Sequence, residues 1–283
     1  MNYFKTTVVS IIFILIIIQF NPLGYSTQTD KFNEDTDQIK NINIDLNDVD
    51  VEIYPTQANT IIVEHSYNKS DLDESEVFSL VNDNTLNVHQ YDYDKDNHFQ
   101  TKEKITLFIP EENNIENVNV INKQGNISVE NLNQNKSFLS TQTGSIKIVN
   151  SSFKYLKTLN QEKFLNINNV IADRAQITSN GKEFLSTNLT SKEAFLNVGD
   201  KTQGNFKDMN IKNLKLETNS NQLTLSFSNL FKYKVISDNK ELEKKFDNVK
   251  LVKELSDIDG TDEVYYFDLS KAQNIKFNLI KEK

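Results

Sequence analysis

The middle of the chain repeats itself every 19 residues, and few folds accept that period. Ile127, Ile146, Leu165 and Phe184 stand 19 residues apart. So do Val120, Leu139, Thr158, Ile177 and Leu196, and so do Asn131, Asn150, Asn169 and Asn188. A longer unit of about 22 residues then places Phe206 in the first column, and a shorter one places Leu223. Units of about 20 residues built from strands predict a stacked solenoid. Each rung is expected to hold two or three short strands with an inward column of aliphatic side chains. Asparagine tolerates the left-handed backbone of a tight turn, and stacked amides can bond from rung to rung. Gly125, Gly144 and Gly181 mark a second turn, where a positive φ costs glycine nothing.

The flanks read differently. Ile42, Ile44, Leu46, Val49, Val51, Ile53, Ile61 and Val63 follow a period of two, the signature of half-buried strands. With Leu86, Val88, Ile105, Leu107 and Ile109, which end at Pro110, they predict an antiparallel meander over 39–114. Repeats fill 115–230. From Phe231 the register is lost, although Val264–Phe267 and Ile275, Phe277 and Leu279 look like closing strands. Residues 231–283 are expected to cap the open sheet edge, with a charged helical or turn segment at Glu241–Lys245. The fold class is therefore all-β: a β-solenoid, right-handed β-helix-like or single-sheet, with an N-terminal antiparallel meander and a C-terminal cap, together spanning 39–283.

Ahead of this domain, Lys5 precedes an apolar run from Val8 to Phe20, Pro22 breaks it, and Gly24-Tyr25-Ser26 supplies small residues. A basic start, a short apolar core and such a site predict a signal peptide over 1–26. Tyr3, Phe4 and Leu23 could lengthen the run into an uncleaved anchor, the one route by which this chain would meet a membrane. Residues 27–38 are polar and read as a tether.

Composition narrows the functions. A formal charge of -9 opposes nucleic-acid binding, which needs a basic footprint. Arg174 is the sole arginine, which disfavours bidentate phosphate or carboxylate recognition. The absence of cysteine removes disulfides, thiol catalysis and zinc–thiolate sites. In an exported protein it suits a Gram-positive envelope.

Chemistry is hard to find. His65, His89 and His98 lack zinc-ligand spacing and read as exposed strand or loop residues. Asp92, Asp94, Asp96 and Glu103 occupy calcium-hand loop positions, but both flanks read as strands rather than helices, so a solvated hairpin tip competes. Asp257, Asp259 and Asp262 form a second acidic turn. The rungs carry no carboxylate column with basic partners, so a glycan-cleaving solenoid face is not expected. No catalytic, cofactor-binding or metal residue is assigned, and no cofactor.

Leu107-Phe108-Ile109-Pro110, followed by Val118-Asn119-Val120-Ile121-Asn122-Lys123-Gln124-Gly125-Asn126-Ile127-Ser128-Val129-Glu130-Asn131-Leu132, resembles the bacterial "putative adhesin" β-strand-repeat family of unknown function. The resemblance covers roughly 39–280. It implies a β-helix-like domain at the cell envelope and transfers no catalytic residue. The expected function is a non-catalytic, extracytoplasmic binding or adhesion module whose partner is an envelope polymer or protein. The alternative is a structural or sensory ectodomain of an envelope-stress system.

Overall fold

The computed structural model describes residues 27–35, 38–68, 77–90, 103–218, 220, 222–227, 232–236, 264–268 and 275–279. The export segment 1–26, His98, the acidic positions Asp92, Asp94 and Asp96, the charged stretch Glu241–Lys245 and the turn at Asp257–Asp262 lie outside them. The described strands join into one sheet that winds as a solenoid of about 5 turns.

The repeat columns are hydrogen-bonded registers. β8 (Asn117–Asn122), β10 (Asn133–Thr141) and β12 (Ser152–Asn160) stack in parallel with Val120, Leu139 and Thr158 in line. β9 (Ile127–Glu130) and β11 (Ile146–Val149) form the second wall of the same rungs, with Ile127 beside Ile146. β13 (Phe164–Ser179), β14 (Glu183–Val198) and β15 (Gln203–Thr218) are long because each serves both walls. In β13 the first part pairs with β11 and the second with β12. Leu165 and Phe184 continue one column, and Ile177 and Leu196 the other. These side chains are fully buried, so the aliphatic columns are the core.

Asn131, Asn150, Asn169 and Asn188 make the sharp corner between walls, with φ of 56°, 49°, 52° and 55°. Asp208 takes the same role in β15, with φ 54°. Among L-residues, Asn and Asp enter this left-handed region most cheaply, because the short polar side chain bonds locally.

The glycine turns work for another reason than expected. None of Gly125, Gly144 and Gly181 lies in the left-handed region that favours glycine. A Cβ on Gly144 would instead strike the carbonyl of Gly125, and one on Gly125 the carbonyl of Val49. Glycine is needed there because successive turns lie backbone against backbone. Buried polar side chains seal this corner: Thr141 Oγ1 donates to the Gly125 carbonyl at 3.1 Å, and Asn160 Nδ2 donates to that of Gly144 at 3.0 Å.

Two registers depart from expectation. Phe184 pairs with Gly204, not Phe206, and Leu223 on β16 (Gln222–Phe227) follows Gly204 in that column. Phe206 sits two residues further on, still facing inward. It packs edge-on against Phe184 with centroids 4.7 Å apart and occupies space that a side chain at position 204 would need.

The larger departure is at the N-terminal end. β2 (Asn41–Leu46) and β3 (Asp50–Thr56) lie parallel to β8 and β9, with Ile44 beside Val120 and Val51 beside Ile127. Their other edges take β6 (Thr85–Gln90) and β7 (Lys104–Pro110), again in parallel. The first rung in sequence is thus inserted between two later ones. Antiparallel pairing over 39–114 is confined to the outer layer: β5 (Val77–Asn82) on β6, and β4 (Thr60–Asn68) on β7. A plain meander is ruled out because β2 and β3 are flanked on both sides within the parallel stack. Nor are residues 27–38 wholly a tether. Thr27–Asp35 form β1, nine residues paired antiparallel with β4, and Phe32 packs on the core.

At the far end, β18 (Val264–Asp268) adds in parallel to β15 and to β17 (Lys232–Ile236), and β19 (Ile275–Leu279) adds to β16. The closing strands therefore extend both walls.

Candidate binding groove on the outer wall

Along β12, inward and outward side chains alternate until Lys154 and Tyr155, which both face out between buried Phe153 and Leu156. The pairing skips one position at this kink in every rung, passing from Gln134–Phe153 to Lys136–Tyr155, then from Phe153–Ala172 to Tyr155–Arg174, then from Ala172–Ser191 to Arg174–Glu193. Because the kinks stack, two consecutive outward residues from each rung form a double column. Asn135-Lys136, Lys154-Tyr155, Asp173-Arg174 and Lys192-Glu193 line a groove of about 890 Å³ that Glu116 closes at one end. Five rungs contribute, four steps of about 4.8 Å each, so the groove runs about 19 Å along the stack.

Its charges are largely self-matched. Arg174 Nε donates to Glu193 Oε2 at 2.8 Å, and Lys192 Nζ meets Asp173 Oδ1 at 2.9 Å. Glu116 faces Lys40 at 3.7 Å. Tyr155, a half-buried residue of the groove lining, donates its hydroxyl to Gln176 Oε1 at 2.8 Å. An adjoining hollow of about 550 Å³ shares Tyr155, Arg174 and Glu193 and adds Gln176, Phe195 and Lys215. In the column beyond, lysines lie over rings: Lys157 over Phe138 and Lys215 over Phe195, each 5.2 Å from the centroid. Such a surface offers stacking faces and hydrogen-bond donors to a ligand.

The residues singled out in the sequence fall elsewhere. His65 is not exposed. It is fully buried on β4, with Nε2 3.1 Å from Oε2 of buried Glu103. The alternation Ile61, Val63, His65, Tyr67 already placed His65 on the inward face, and this was the missed signal. Glu103, the last calcium-loop position, faces that histidine. His89 is half-buried with its ring 5.7 Å from that of Phe78. Among the described residues no three His, Asp or Glu side chains converge on a metal position. Arg174, noted only for its rarity, stands in the groove. The 19-residue spacing of Asn135, Lys154, Asp173 and Lys192 could have revealed this polar column.

Residues 39–244 match the family model described as Toastrack DUF4097. The fold is similar to the crystal structure of a "putative adhesin" from Bacteroides fragilis, with a TM-score of 0.52 at 11% identity over 90% of this chain and 97% of that one. It is similar as well to a "putative adhesin" from Parabacteroides distasonis, with a TM-score of 0.50 at 11% identity over 90% and 94% of the two chains. None of the curated proteins matches the chain.

Proposed function

This chain belongs to the Toastrack DUF4097 family, and on that premise we propose that it is a non-catalytic binding module of the cell envelope that holds its ligand along the outer-wall groove. The observation that carries this reading is the stacked kink, which repeats two outward polar or aromatic side chains over four rungs, with Glu116 from a fifth. A repeated surface of this kind suits an extended ligand, whose own repeats meet equivalent side chains. The groove carboxylates are held by lysine or arginine. None is left as the acid–base pair that glycan cleavage uses, which supports binding over catalysis. The adhesin name of the two structures of similar fold points the same way.

Export through residues 1–26 places the domain outside the cytoplasm in this proposal, in a Gram-positive envelope. The test is retention on isolated cell envelopes. The parent chain should cosediment, and Tyr155→Ala combined with Arg174→Ala should lower retention severalfold. A parent that stays in solution, or a double variant retained like the parent, would overturn the groove reading. Recovery of the native protein in the cytoplasmic fraction, starting at Met1, would overturn its location.

A further inference from the structure

We infer that the groove's ligand is a linear phosphodiester polyanion of the cell wall, bound through Lys136 and Lys154. The inference rests on the groove being a binding site and names the chemistry it recognises. All three groove carboxylates are matched: Glu193 by Arg174, Asp173 by Lys192 and Glu116 by Lys40. Lys136 and Lys154 are both exposed. Among the described residues neither has a carboxylate within ion-pair distance. They come from adjacent rungs, since Lys136 is the register partner of Tyr155, the residue after Lys154.

Two lysines on adjacent rungs, neither matched by a carboxylate, thus line one groove on a chain of formal charge -9. An anion lying across both gains from the two positive charges together. The groove continues for one rung beyond this pair on one side and two on the other, so its length of about 19 Å fits a chain of anions better than a single one. Asn135 and Tyr155, which lie next to these lysines in sequence and line the same groove, offer polar contacts to the units between charges.

The experiment compares binding of the whole chain to isolated Gram-positive walls, to the same walls stripped of phosphodiester polymer by acid, and to purified poly(glycerol phosphate). Two charge reversals of equal size are tested: Lys136→Glu with Lys154→Glu, and Lys123→Glu with Lys163→Glu as an off-groove control. Binding to intact walls and to the polymer is expected, with affinity for stripped walls and for the groove variant about tenfold lower. The control should stay within about twofold of the parent. Lys136→Gln with Lys154→Gln should show about half the logarithmic loss, which covers the case in which the reversal fails to fold. Equal binding to intact and stripped walls would overturn the polyanion and leave the groove reading standing. No binding to either wall would overturn both. A groove variant that binds like the parent would overturn the assignment to Lys136 and Lys154.

Discussion

Asn188 donates its side-chain amide to Oδ1 of Asn169 across 2.8 Å, and both residues hold left-handed backbones. Asn169 in turn donates to Asn150 at 3.0 Å. At Asn169 and Asn188 one residue type therefore does two jobs: it turns the chain and ties the turn to its neighbour. Asp208 keeps the backbone geometry in the next rung, but a carboxylate has no N–H to donate onward.

The two jobs are separable by mutation. Asn169→Gly keeps the permitted backbone and loses the ladder, and should cost about 1 kcal/mol. Asn169→Ala loses the ladder and adds left-handed strain of about 1–2 kcal/mol. Urea unfolding of both variants checks this, and equal losses would show that the corner geometry contributes nothing.

The core column predicts a sharp contrast between neighbours. Ile146 is fully buried between Ile127 and Leu165, so Ile146→Ala should cost about 2–5 kcal/mol. Lys147 points outward and pairs with Glu130, and its alanine variant should change stability by about 0–1 kcal/mol. Similar small effects at both positions would contradict the buried register.

Buried Glu103 stands against buried His65 where β7 begins. Glu103→Ala removes one partner of a desolvated pair and should cost about 2–3 kcal/mol. Glu103→Gln keeps an acceptor and should cost less. Thermal unfolding of the two variants ranks them, and the reverse order would argue against a bond that matters.

Tyr54 supplies a pH test. Its hydroxyl is pushed above the ordinary value of 10.0 by burial first, then by the charges of Glu52 and Glu130 and the bond to Glu52. A folded-state value above the unfolded one means that this contribution is fully present below about pH 10 and is lost as pH rises through the folded value. Tyr54→Phe should therefore lose less stability than the parent between about pH 9 and 11, when midpoints in denaturant are compared. Parallel curves would count against the shift.

The sequence alone determined the solenoid, because its columns are local and periodic. Ile127, Ile146, Leu165 and Phe184 need no knowledge of distant contacts to be seen as one face, and the asparagines announce their corner by a backbone preference. The partners that only tertiary structure decided are those whose spacing in the chain is long or broken. Ile44 and Val120 share a column across 76 residues, which is four times the repeat of 19, with the β4–β7 excursion between them. Alternation within β2 marks which side chains face inward, but an exposed strand edge accepts any parallel strand of matching pattern, so nothing local says that β2 and β3 insert beneath β6 and β7. The groove follows the same logic. Charged residues at 19-residue spacing were visible, but the kink that turns two consecutive side chains outward arises only when stacked rungs bend together. Bending a strand breaks its period of two, and only the packed core shows where the break falls.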